Sequence, residues 1–120
     1  MDSCKQVAQV FYALSHPIRL RILRLLSDEE HCVCHLTAAL KKRQPYVSQQ
    51  LAILRDHGLV IDRKDGLMVY YRVRSPQVAA LIEAAAEALR AQGVEIDLPP
   101  VPDGPIEGCP CPLCNASDRP

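Results

Sequence analysis

The chain has no Trp, a single Phe and no net charge over its 120 residues. Without large aromatics, the core must be built from Leu, Ile, Val and Ala, which favours helices. No run of about 18 apolar residues occurs, so no membrane-spanning helix is expected. No basic stretch leading into an apolar run opens the sequence, so a secretory signal is not expected either, and the expected location is cytoplasmic. In that compartment the six Cys residues are expected as reduced thiols, suited to metal binding or redox chemistry rather than to a disulfide frame. No Ser/His/Asp set, phosphate loop or carboxylate pair stands out, which argues against an enzyme.

The zero net charge hides a division. Residues 1–74 carry twelve Lys and Arg against seven Asp and Glu, whereas residues 75–120 carry two against seven. A basic first part and an acidic last part make the first the candidate for meeting a polyanion. The ten prolines are just as uneven, with seven of them between Pro99 and Pro120. The other three, Pro17, Pro45 and Pro76, each open a stretch of helical apolar spacing, where a missing N–H costs nothing.

That punctuation predicts a first helix over about 3–14, with Val7, Val10, Phe11 and Leu14 on one face. A second helix is expected from Pro17 to about Leu26, with Ile18, Ile22, Leu25 and Leu26 inward and Arg19, Arg21 and Arg24 elsewhere. A third covers about 31–40, with Val33, Leu36 and Leu40 inward. After the polar turn Lys41-Lys42-Arg43-Gln44, a fourth runs from Pro45 to about His57, and Gly58 sits where a C-terminal cap belongs. The period then changes. Residues 59–61 and 67–73 are rich in β-branched and aromatic side chains, and Asp65-Gly66 between them signals a hairpin turn. Ser75 is a good N-cap for an Ala-rich last helix that Gly93 ends, and Ala84, Ala85, Ala86 and Ala88 allow close helix approach. The expected order is α-α-α-α-β-β-α over residues 1–93, mostly α with a β-hairpin, followed by a Pro-rich, Cys-containing tail over 94–120. No internal repeat occurs.

Two helices joined by a short polar turn, followed by a hairpin, form a winged helix-turn-helix. The fourth helix is then the recognition helix, with Gln44, Tyr46, Ser48, Gln49 and Gln50 turned from its apolar face. Gln can bond adenine bidentately, and Ser and Tyr can reach base edges or phosphates. Lys41, Lys42 and Arg43 lie beside the groove, and Arg63 and Lys64 at the wing tip are placed for phosphate or minor groove.

Three segments resemble the ArsR/SmtB family of metal-sensing repressors. Residues 13–26 (ALSHPIRLRILRLL) resemble its second helix, residues 47–60 (VSQQLAILRDHGLV) its recognition helix, and Asp62–Gly66 with Val69–Arg72 its wing. The resemblance covers roughly residues 5–92 and implies a homodimer, joined by its first and last helices, that binds an operator inverted repeat in double-stranded DNA. His31-Cys32-Val33-Cys34-His35 resembles the Cys-Val-Cys box used by arsenite-, cadmium- and lead-sensing members. Thiolates favour As(III), Cd(II), Pb(II) and Hg(II), and also Zn(II).

On a regular helix, residues two apart point about 200° apart. Cys32 and Cys34 are therefore expected to share an ion only if that first turn is distorted or non-helical, so that a bound ion would deform the segment before the recognition helix. His31 and His35 are expected at the surface, and His16 and His57 at helix ends. Thr37 stands where the resemblance implies a third Cys for arsenite, and Cys4 is the one N-terminal Cys of the kind that serves the cadmium pattern. In the tail, Cys109, Cys111 and Cys114 lie within six residues and are expected to carry metal or redox chemistry rather than packing. The family's last-helix zinc site would fall on Ser75, Gln77, Ala88 and Ala91, which bind zinc poorly. The expected function is a repressor that binds its operator as an apo dimer and leaves it when thiolates coordinate a soft ion. The alternatives are a thiol-redox or sulfur-sensing repressor of the same fold, and a metal-storage protein that does not bind DNA.

Overall fold

A computed structural model describes residues 2–101, 106 and 109. Its elements are α1 (Ser3–Leu14), α2 (Pro17–Leu25), β1 (His31–Cys32), α3 (Val33–Leu40), α4 (Gln44–Asp56), β2 (Val60–Asp65), β3 (Met68–Val73) and α5 (Pro76–Ala91). The five helices and the hairpin fall where the sequence puts them. One element was not expected: residues 31–32 form a short strand instead of the first turn of the third helix. Their register on β3 pairs His31 with Tyr71 and Cys32 with Tyr70, so the sheet has three strands in the order β1-β3-β2.

The aliphatic core gathers Ile22, Leu23, Leu26, Leu36, Val47, Leu51, Leu54 and Val60, all essentially without solvent contact. These residues come from α2, α3, α4 and β2, so the helix-turn-helix is held from beneath by the wing's first strand. Gly58 has φ +75° and follows α4, while the amide of Leu59 donates to the Leu54 carbonyl at 2.9 Å. That left-handed glycine terminates the helix and turns the chain into the wing. In the hairpin, Asp65 pairs with Met68, and Gly66 takes the first central turn position at φ +62°, a conformation that a Cβ disfavours. Ser75 precedes α5 in extended geometry, but its side chain makes no capping hydrogen bond.

The expectation for Cys109 changes, and the tail packs at several points. Leu98 and Val101 pack on the main core, and Ile106 and Cys109 join a second cluster with Cys32, Cys34, Ala38, Met68 and Tyr70. Cys109 is buried rather than standing without packing. The described part of the tail thus returns from α5 across the body of the domain to the start of α3. Cys111 and Cys114 lie outside the described residues. Among those residues, no helix is long and apolar enough to cross a membrane.

Candidate functional site

The helix-turn-helix is closed by Lys41, whose φ of +54° is the one positive value at a non-glycine among the described residues. The Lys42 amide donates to the Thr37 carbonyl at 3.3 Å and completes the turn. Lys41, Lys42, Arg43, Gln44, Ser48 and Gln49 are exposed there, and Tyr46 is half-buried. These residues crowd the N-terminal end of α4, the end that enters a major groove in this architecture. Lys64 is exposed on the wing.

Gln50 is a correction. It is buried, and its Oε1 accepts a hydrogen bond from Arg19 Nη1 at 3.0 Å. The spacing already held this signal, because Gln50 lies three residues after Val47 and one before Leu51, on the core stripe. Arg19, expected outside the core, is its buried partner. Its guanidinium also donates from Nε to the Ala13 carbonyl at 2.7 Å and from Nη2 to the Tyr12 carbonyl at 3.2 Å. The cation thus sits at the C-terminal end of α1, where the helix dipole favours positive charge. It ties α1 to the recognition helix. His57 reinforces that link, its ring lying 5.5 Å from that of Tyr12 and its Nε2 3.1 Å from Gln9 Oε1. His16 caps α2, with Nδ1 accepting from the Ile18 amide at 3.2 Å.

The thiols come together without distortion of a helix. Cys32 is extended, with φ −79° and ψ 165°, and precedes α3, whereas Cys34 lies in its first turn. The 200° separation therefore never applies. Their Cα atoms are 5.4 Å apart and their sulfurs are joined as a disulfide, a departure from the reduced pair expected. Cys109 completes the group, with the three sulfurs all within 4.8 Å of one another. A soft ion with metal–sulfur distances near 2.3 Å requires thiolates about 4 Å apart, so the reduced trio fits one with small adjustment. Cys4 is exposed on α1 and does not belong to this cluster.

His31 and His35 are also corrected. Both are buried, and their rings stack at 3.8 Å with planes 2° apart. Burial lowers the pKa of His31, and burial together with the neighbouring His31 lowers that of His35 to about 4. At neutral pH the two rings are therefore uncharged. Glu30, just before β1, faces the wing: Arg63 Nε donates to both its carboxylate oxygens, at 3.0 and 2.8 Å, and Arg63 Nη2 donates to Oε1 as well. This pairing holds the Glu30 carboxyl below its ordinary pKa. The guanidinium also lies 4.7 Å from the centre of the Tyr70 ring. Arg63, expected to be open to DNA, is occupied here.

Comparison with known proteins fits this geometry. Residues 16–62 match the family described as bacterial regulatory protein, arsR family. A transcriptional repressor SmtB homolog of Synechocystis sp. is 41% identical over 90 residues, which cover 75% of this chain and 68% of that protein. The arsenical resistance operon repressor of Escherichia coli is 48% identical over 73 residues, 60% of this chain and 62% of its own length. A homodimeric winged helix-turn-helix DNA-binding domain from Mycobacterium bovis superposes with TM-score 0.67 at 32% identity, over 78% of this chain and 89% of that domain.

Proposed function

This chain belongs to the arsR family of DNA-binding transcriptional repressors, and from that premise we propose that it is a soft-ion-responsive repressor whose sensor is the trio Cys32, Cys34 and Cys109. The observation that carries the proposal is the convergence of three sulfurs at the first turn of α3, one helix before the recognition helix. Reduced thiolates there suit As(III), Cd(II) or Pb(II), with Zn(II) and Hg(II) as further candidates. The arsenical name of the Escherichia coli relative supports the first of these. Ion binding would draw β1, α3 and the tail together, and so bias the two elements that meet DNA. A coupling of about 1–3 kcal/mol between ion and operator is the usual scale for such a switch. Cys111 and Cys114 are proposed as accessory thiols, whereas Cys4, exposed on α1 and outside the trio, is left out of the sensor.

DNA contacts are assigned to Lys41, Lys42, Arg43, Gln44, Tyr46, Ser48, Gln49, Arg63 and Lys64. Replacing Ser48 and Gln49 together with Ala should lower the preference for an operator selected from a random duplex pool by about tenfold or more. An unchanged ratio of operator to random-duplex affinity in a binding titration would contradict this docking.

We also assign a homodimer through α1 and α5. Val7, Phe11 and Leu89 are 56, 57 and 42% exposed, and an apolar groove runs between the two helices. Sedimentation at micromolar concentration should give a dimer, and a monomer there would contradict the assignment.

The disulfide between Cys32 and Cys34 favours a second reading, in which a two-electron oxidation of the box replaces the ion as signal. Titrating the reduced protein–operator complex with arsenite and, separately, with an oxidised dithiol distinguishes the two. The ion reading expects release by arsenite, and the redox reading release by the oxidant alone.

A further inference from the structure

The three-stranded sheet places Cys32, Tyr70 and Arg63 in one row. Cys32 pairs with Tyr70 on one side, and Arg63 pairs with Tyr70 on the other. Directly opposed residues in adjacent strands project from the same face of a sheet. Tyr70 belongs to the cluster around Cys32 and Cys109, while the Arg63 guanidinium stacks on its ring. Glu30, two residues before Cys32, grips that same guanidinium with both carboxylate oxygens. A wing side chain suited to a DNA phosphate is therefore held by an acid that directly precedes the strand bearing Cys32.

Resting on the DNA-binding reading above, we propose that Glu30 is a positioning residue that competes with DNA phosphate for Arg63, so that the thiol site governs a wing contact as well as the recognition helix. Two features make the competition workable. The pair is partly solvated, with Glu30 32% and Arg63 50% exposed, so its net strength is modest and a phosphate can displace the carboxylate. The restraint on Glu30 comes from β1, which has only two residues and is secured on one side by β3 and on the other by the first turn of α3. Coordination of an ion by Cys32, Cys34 and Cys109 would stiffen this short strand and keep Glu30 on Arg63. In its absence the strand can yield.

The test is a double-mutant cycle on binding to a random-sequence duplex, with full-length reduced protein and without ion, over a range of salt concentrations. Arg63→Gln should weaken binding and reduce the salt slope by about one. Glu30→Gln should tighten binding roughly two- to fivefold, and should have no effect once Arg63 is already Gln. With arsenite added, Glu30→Gln should retain more duplex than the wild type. The proposal is overturned by Arg63→Gln binding with full affinity, by a Glu30→Gln gain that persists in the Arg63→Gln background, or by equal arsenite-induced loss in Glu30→Gln and wild type. Those outcomes leave the repressor reading in place. A wild type whose duplex binding ignores arsenite would instead count against the ion-sensing reading.

Discussion

Exchanging Cys34 for Ser is expected to leave DNA binding in place and to remove its loss on addition of arsenite. Cys34 is one of three sulfurs within 4.8 Å and belongs to the first turn of α3, so in the proposed site it is the ligand that would tie an ion to the helix-turn-helix. Ser is nearly isosteric, but its hydroxyl is a poor donor to a soft ion. A ligand shifts a conformational equilibrium only by its differential affinity for the two states. Without Cys34, the ion has no hold on α3, and a coupling of about 5- to 150-fold should fall to near unity. Cys109→Ser should weaken ion binding while release at saturating ion partly survives, because Cys32 and Cys34 still span β1 and α3. Cys4→Ser should change neither. Operator binding followed by fluorescence anisotropy, with bound ion followed by charge-transfer absorbance, checks all three. Full release in Cys34→Ser would remove the box from the mechanism.

The second large effect is on stability. Arg19→Met should destabilise the fold by roughly 2–4 kcal/mol, because it leaves buried acceptors without their donor. The side chain is 6% exposed and bonds Gln50 Oε1 and the carbonyls of Tyr12 and Ala13. Met roughly preserves the volume but supplies no N–H. Adding Gln50→Leu should recover part of the loss, since it removes one orphaned acceptor. Urea unfolding at fixed protein concentration, so that any association is held constant, measures both variants. Arg19→Met with wild-type stability would show that the bonds between α1, α2 and α4 contribute little.

Most of the architecture was legible because proline, glycine and apolar period agree at each boundary. Pro17, Pro45 and Pro76 open helices, Gly58 and Gly93 close them, and Gly66 turns the hairpin. What escaped was what depends on tertiary partners. A two-residue strand carries no period of its own, and β1 exists only because β3 lies beside it. Helical spacing alone therefore left open whether the first turn holding the two thiols is distorted or non-helical, and it hid the burial of His31 and His35. Arg19 and Gln50 were placed outward because their side chains are polar. Gln50 nevertheless sits on the core stripe of α4, and the two satisfy each other there. The position of Cys109 beside Cys32 and Cys34 could not be read from spacing, since it lies 75 positions after Cys34. Only Leu98, Val101 and Ile106, apolar residues scattered among prolines, hinted that the tail docks.

One soft ion at the proposed Cys32, Cys34 and Cys109 site should release this repressor from DNA. The most direct measurement titrates arsenite into a complex of the reduced protein with fluorescent operator duplex and follows anisotropy and bound arsenic together. Anisotropy should fall to that of free duplex as binding approaches one arsenic per protomer. Stoichiometric arsenic binding with the duplex still held would contradict it.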